Sequence, residues 1–479
     1  MCIRDRVATA PDFYGVPGRT VEIANVMARI PGRASTGSIL LMAHYDSVDT
    51  TPGANDNAAA VAALLETARA LVAGEPLRND VIFLATDAEE PEGRAGATAF
   101  VNDHPWATEI AVAINLEAAG GSGPSLLVEA PSPNRWLIDL YREATSRPVA
   151  YSFLPDMVSA IGDVGTDFDV FRNRGTPGFH FAYTLNSPIY HTMNDNPAAV
   201  SRRSLQHHCD HTFGLATALG DLDLRTAPPD GDLVFFSVGP WLVTYPTGLG
   251  SLSAVVAAIG LASAALVVRR RRRLRPGSVI GAGLRTLGGA IAAGLVAAVI
   301  WTAYTGIRST PGVVESYLYL GLFVALAGAA IDAFHRIRRR STNASEHAVA
   351  VIGLWAALAL IVGLVAPATG YLFVWPAIAA AVTVGAGALL SPARTWQRWA
   401  LATFVAVPTM VVMVPAVDVF FQFAMPRPGN PDSTIPAMIA VAVLLSGMTL
   451  ELLRRSTALD VWTAGNTTHT GAGAEIPLQ

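Results

Sequence analysis

Between Leu40 and Glu66 the sequence reads LLMAHYDSVDTTPGANDNAAAVAALLE, placing His44, Asp46, Asp49, Asn55, Asp56 and Asn57 between an apolar strand and an apolar helix. Pro52 and Gly53 supply the turn chemistry that the connection needs. They do not call for a His and an Asp two residues apart at a strand end. A polar loop with an Asp or Asn helix cap accounts for this stretch taken alone, so the wider constellation decides. Asp87, Glu89 and Glu90 follow in ATDAEE, Glu117 in NLEA, and His191 in IYHT. Imidazole with several carboxylates, and no cysteine among them, suits hard-to-borderline divalent metals. Each residue by itself is more readily structural than a ligand. Their joint placement is what points to a metal.

Alternating strands and helices must position them. SILLMAH, VIFLATD, VAINLEA, SLLVEA and GFHFAY read as strands, and residues 56–73, 134–146 and 204–219 read as helices. The order predicts an α/β/α sandwich around a mostly parallel sheet. Ligand sites in such sheets gather at the carboxyl ends of the strands. His44, Asp46, Asp87, Glu89, Glu90 and Glu117 stand at those ends, His191 follows GFHFAY closely, and Asp56 opens the first helix.

The 479 residues exceed one ordinary domain, and the mean hydropathy of +0.40 is high for a soluble chain. The average hides two unlike halves. Residues 1–235 carry 29 acids against 16 arginines, whereas the remainder carries 8 acids against 17 arginines. Lysine is absent, and with so much Ala, Val and Gly this points to GC-rich coding, as in a bacterium. Two cysteines, Cys2 and Cys209, exclude a disulfide framework and a cysteine-based zinc site.

From about Tyr245 onward, seven apolar runs lie near 245–268, 287–305, 316–334, 347–367, 371–390, 400–423 and 435–453. Each approaches or exceeds the roughly 17–25 residues that cross a hydrocarbon core. The expected organisation is an extracytoplasmic domain over 1–235, an α-helical multi-span membrane domain over 236–455, and a disordered cytoplasmic tail over 456–479. RRRRRLR (269–275), Arg285, RIRRR (336–340), Arg394, Arg398, Arg454 and Arg455 all fall on one side when the spans alternate. The opposite loops hold only Arg308 and Arg427. The basic side is expected to be cytoplasmic. An outward domain needs an export signal, and MCIRDR has no apolar core behind it, so an N-terminal anchor is expected to be missing. Asp418, flanked by Pro408 and Pro415, is the deepest intramembrane acid. It is expected near the outer interface or paired inside the bundle. Glu451 and Asp332 are expected at the interface beside cytoplasmic arginines.

HYD, PGANDN, DAEE, NLEAAG and YHT resemble, in order and approximate spacing, the zinc-dependent exopeptidases with two co-catalytic metals. This is the family of secreted bacterial aminopeptidases and glutamate carboxypeptidase. The trailing spans make the chain most similar to its membrane branch, which includes endoplasmic-reticulum metallopeptidase and vacuolar membrane protease. The resemblance implies a zinc exopeptidase sandwich and a hydrolase, an aminopeptidase by first expectation, holding two Zn2+ per chain. It implies that His44 and Glu117 hold one metal, that Glu90 and His191 hold the other, and that Asp56 bridges. Asp46 would accept the far ring N–H of His44. Glu89 would be the general base, and Tyr190 would steady the oxyanion. Many members place Asp where Glu117 stands, which bears on N-terminal selectivity.

GTDFDVF (165–171) resembles the family segment lining the substrate pocket, where Asp167 would contact a substrate amine or cap a loop. HHCDH (207–211) places His207 and His211 at a metal-capable spacing, but past the last ligand. A solvated helix face is expected there. Asn343 and Asn466 fit glycosylation sequons on the expected cytoplasmic side and are discounted. Peptide substrate and membrane lipid are the expected partners, without nucleic acid. The sequence leaves the oligomeric state and the choice between amino- and carboxypeptidase open. The alternative is a transporter or receptor-like membrane protein with a peptidase-fold ectodomain. The orientation has a direct test. With the expected N-terminal anchor restored, a single cysteine placed in 336–346 in intact cells should resist an impermeant thiol reagent while one placed within 1–235 reacts. Labelling of 336–346 from outside would overturn the topology.

Overall fold

The computed structural model describes residues 2–4, 8–10, 21–90, 93–161, 165–226, 231–271, 274–307, 312–337, 343–390, 394–425 and 435–457. The strands are β1 (Cys2–Arg4), β2 (Ala8–Ala10), β3 (Val21–Ile23), β4 (Val26–Ile30), β5 (Ser38–His44), β6 (Asp80–Thr86), β7 (Ile110–Ala118), β8 (Leu126–Glu129), β9 (Gly178–Tyr183), β10 (Leu233–Val238) and β11 (Trp241–Pro246). Helices α1 (Ala60–Ala73), α2 (Ala95–Asp103), α3 (Arg135–Ala144), α4 (Phe153–Ile161), α5 (Asp167–Arg172) and α6 (Arg202–Gly220) alternate with them.

Seven strands form one sheet in the order β1-β4-β6-β5-β7-β9-β8. The pairings β6–β5, β5–β7 and β7–β9 are parallel, and antiparallel pairings flank them. Four central strands therefore end on the same side. SILLMAH is buried along its whole length, as expected where helices cover both faces of a strand. Its alternate residues divide between two cores. Ile39, Leu41 and Ala43 pack with Leu64 of α1, Tyr141 of α3 and Leu215 of α6. Leu40 and Met42 pack with Phe100 of α2 and Phe168 of α5. This is the three-layer α/β/α sandwich expected from the sequence. β7 and β9 approach closely at Gly178, where a Cβ would lie 2.1 Å from the carbonyl oxygen of Ala113.

Seven further helices are long and apolar enough to cross a membrane: α7 (Thr247–Arg271), α8 (Pro276–Ile307), α9 (Val313–Ile337), α10 (Ala344–Val365), α11 (Tyr371–Leu390), α12 (Thr395–Phe423) and α13 (Ile435–Ser456). Small residues let them pack tightly. A Cβ on Gly289 of α8 would lie 2.6 Å from the Cα of Ile331 on α9. Asn343 caps α10 in a capping box with Glu346, a structural use for a residue that also fits a sequon. Asn466 lies outside the described residues, as does most of the tail. Asp332 pairs with Arg454 at 2.7 Å. Glu451, in the last turns of α13, is buried against its neighbours and held by Arg455 at 2.6 Å.

The β10–β11 hairpin joins the two parts. Leu233 and Phe235 enter the sandwich core while Val234 and Phe236 enter the helical core, as strand alternation dictates. Phe153 of α4 stacks on Phe420 of α12 at 5.1 Å, and the Ser152 hydroxyl donates to the carbonyl of Ala368 at 2.6 Å. These contacts meet the start of α7, the α10–α11 connection and the end of α12. The arginine-rich helix ends lie at the opposite end of the bundle.

Candidate metal centre

Four strand ends and two turns converge on one buried cluster. His44 is the last residue of β5, Glu89 and Glu90 follow β6, Glu117 lies near the end of β7, and His191 follows β9. Asp56 does not open a regular helix as expected. It sits in an irregular turn over Ala54–Ala59 with non-helical φ/ψ at Asp56 and Asn57, and α1 begins only at Ala60. The Asp56–Asn57 peptide is cis. Ala88 and His191 both have positive φ (55° and 57°), backbone that L-residues rarely adopt and that clusters at functional sites.

The contacts divide into two halves joined by Asp56. Its Oδ1 lies 3.2 Å from His44 Nε2, and its Oδ2 lies 3.1 Å from His191 Nε2. Glu117 Oε2 is 3.3 Å from His44 Nε2, and Glu90 Oε1 is 2.7 Å from His191 Nε2. Donor atoms of His44, Asp56 and Glu90 lie within 4.8 Å of one another, as do those of His44, Glu89 and Glu117. All six residues are buried or nearly so.

Burial sets the electrostatics. It pushes Glu89 well above the usual carboxylate range, with His44 opposing, and it raises Glu90 and Glu117 against the pull of His191 and His44 respectively. For His44 burial acts downward, yet Glu117 and Glu89 carry it well above its ordinary value. Burial also lowers His191, but Asp56 and Glu90 lift it to about 9. Asp56 resists burial because it accepts from both imidazoles, and it falls to about 2. Two imidazoles thus face four buried carboxylates. That donor set fits hard-to-borderline divalent cations, which would supply the missing positive charge.

Around this cluster the structure adds detail that the sequence did not show. His44 Nδ1 lies 3.1 Å from the carbonyl oxygen of Asp46 and 3.5 Å from its carboxylate. That carboxylate also accepts the backbone N–H groups of Glu89 and Glu90, at 3.2 and 3.0 Å. The Tyr190 ring stacks on His191 at 3.7 Å. Asp167 is fully buried, accepts from the Thr86 hydroxyl, and is raised to about 7 by burial.

The HHCDH expectation is corrected, because His207, His208 and His211 are buried rather than solvated. His208 Nε2 donates to the Glu117 carbonyl at 3.2 Å, so its Nδ1 accepts from Ser125 Oγ at 2.8 Å. The same hydroxyl accepts from His211 Nδ1 at 3.1 Å. Burial lowers His208 to about 3 and His211 well below its ordinary value, consistent with neutral rings.

Asp195 is a functional candidate that the sequence reading missed. It accepts from the backbone and side-chain nitrogens of Asn55, both at 2.8 Å, and from the Asp56 N–H at 3.2 Å. Tyr183 donates to Asn55 Oδ1 at 2.9 Å. The available signal was an acid four residues after His191 in HTMND.

Residues 25–216 match the model for peptidase family M28. Among curated relatives, human endoplasmic reticulum metallopeptidase 1 is 34% identical over 248 residues, covering 50% of this chain and 27% of that protein. The vacuolar membrane protease of Yarrowia lipolytica is 31% identical over 238 residues, covering 48% and 24%. The chain thus spans about a quarter of the length of these relatives. Among solved structures, the aminopeptidase from Aneurinibacillus sp. strain AM-1 is 23% identical with a TM-score of 0.36, covering 45% of this chain and 53% of that one. Residues 25–216 thus form a peptidase family M28 domain. The chain is homologous to the endoplasmic-reticulum metallopeptidases and the vacuolar membrane proteases.

The Asp195 contacts generate a prediction. Asp195→Ala strips three donors of their acceptor and frees the turn carrying Asp56. Loss of such a supporting partner typically weakens metal affinity about 10–100-fold. Equilibrium zinc titration should show a loss of that order, and unchanged affinity would refute the positioning role.

Proposed function

We propose that the chain is a membrane-anchored di-zinc exopeptidase, an aminopeptidase, acting on peptides outside the cytoplasm. One observation carries the reading above the others: Asp56 directs one oxygen toward each of two separate histidine–glutamate pairs. In this reading His44 and Glu117 hold one ion, Glu90 and His191 hold the other, and Asp56 bridges them. The ionised carboxylates of Asp56, Glu89, Glu90 and Glu117 total −4, which two divalent ions balance with both histidines neutral, as ligation requires. Bound zinc supplies Lewis-acid polarisation of the scissile carbonyl and acidifies a water for attack.

The chain's own residues do the rest. Glu89 makes no direct pair with either histidine, and burial raises its proton affinity. It is suited to take a proton from the attacking water and return it to the leaving amine. The Asp46 carboxylate fixes the backbone of Glu89 and Glu90, so that base and ligand keep their spacing. Tyr190, stacked on His191, would present its hydroxyl to the developing oxyanion. The peptidase domain packs at the end of the bundle opposite the arginine-bearing helix ends, which supports its placement outside the cytoplasm.

Paired variants test the assignment. Glu89→Gln should keep both metals while kcat falls by about 10²–10⁴-fold with little change in KM, since its contribution is made in the transition state. Glu90→Gln should lose metal and activity together. Metal content and peptide hydrolysis measured side by side decide. The reverse pattern would exchange the two roles, and near-normal hydrolysis by both variants would end the hydrolase reading.

A further inference from the structure

The intramembrane Asp418 does not stand alone. Tyr317 of α9 donates to its Oδ1 at 2.6 Å, and the Gln422 amide donates to its Oδ2 at 2.7 Å. The Gln422 side-chain oxygen accepts in turn from Thr184, just past the end of β9, at 2.6 Å. A hydrogen-bonded chain thus runs from α12 into the peptidase sheet.

Between these elements lies a cavity of about 280 Å³. Leu126, Val149, Val414 and Val419 supply much of its apolar wall, and Asp418, Gln422, Thr184 and Tyr151 supply polar atoms. Among the described residues no arginine or histidine pairs with Asp418. Its two hydrogen bonds orient the carboxylate and leave further lone pairs free. A half-buried, oriented carboxylate at one end of an apolar cavity favours a cation on an aliphatic stem, because pairing offsets the cost of taking the charge out of water.

The cavity lies close to the metal cluster. Ala182 pairs in register with Glu117, and the Asn115 amide contacts both Glu117 and His180, which puts these side chains on one face of the sheet. Thr184 follows two residues beyond Ala182 on that face. This is roughly 7 Å along the strand and one spacing of about 4.8 Å across it. A long side chain on the residue being cut spans that distance.

We propose that Asp418, supplied by the membrane domain, is a specificity subsite of the peptidase that receives the basic side chain of the substrate's terminal residue. The inference rests on the exopeptidase reading. It gives α12 a part in catalytic selectivity beyond anchoring.

Lysyl and norleucyl p-nitroanilides share the α-amine and the chain length and differ in side-chain charge. The full chain in nanodiscs should show higher kcat/KM for the lysyl compound, chiefly through KM. Asp418→Asn should erase that preference, a change of about tenfold or more, and Asp418→Glu should retain most of it. Equal use of both compounds by the wild type, or a preference that survives Asp418→Asn, overturns the subsite. A wild type that cleaves neither compound overturns the peptidase reading and the subsite with it. A preference seen in phosphatidylcholine nanodiscs but abolished by phosphatidylethanolamine assigns the carboxylate to an aminolipid and overturns the proposal.

Discussion

Burying carboxylates is the constraint around which this domain is organised. Asp56, Glu89, Glu90 and Glu117 lie together in the protein interior, and among the described residues His44 and His191 oppose them. Unmatched, such charges cost several kcal/mol each. The fold nevertheless directs several hydrogen-bond donors at them. Asn57 and Asn115 donate to Glu117, and the Asp46 and Asp195 carboxylates hold the backbone that carries Glu89, Glu90 and Asp56. A chain that invests its buried amides in orienting anions has a use for those anions. Matching them with two divalent cations is the simplest way to neutralise the site without moving it.

The parallel sheet makes the convergence possible. Because β6, β5, β7 and β9 run the same way, their carboxyl ends meet, and residues distant in sequence arrive within a few ångströms. Behind Glu117 the Ser125–His208–His211 network holds the end of β7 from the helical side. Beyond β9 the sheet is tied to the membrane helices through Thr184 and Gln422, and the β10–β11 hairpin shares its side chains between both cores. The site and the bundle are therefore mechanically continuous. The C-terminal end of α12 is hydrogen-bonded to the segment between β9 and His191.

Much of this was legible in the sequence, for identifiable reasons. SILLMAH and GFHFAY are short apolar runs bounded by turn residues, and both are strands over the expected residues. The seven membrane-length helices follow from apolar length alone, which no soluble element imitates in series. His44, Glu90, Glu117 and His191 could be nominated because strand ends concentrate function. What failed was anything depending on how side chains pack. The histidines of HHCDH look polar in one dimension, but α6 turns His208 and His211 inward, where Ser125, Tyr141 and the Glu117 carbonyl satisfy them. Asp167 is fully buried and held by the Thr86 hydroxyl, which GTDFDVF read in one dimension does not announce. Asp195 was overlooked because an acid in a loop carries no periodic signal. The irregular turn at Asp56 replaces the expected helix start because its carboxylate must face two histidines at once.

The central claim is that two metal ions sit on either side of Asp56. Anomalous diffraction from crystals of the zinc-loaded protein, collected above and below the zinc edge, tests it most directly. Two anomalous peaks are predicted, separated by about 3.5–4 Å as in other two-metal sites, one beside His44 and Glu117 and the other beside Glu90 and His191. A single peak, or zinc bound away from Asp56 at saturating metal, would contradict the account.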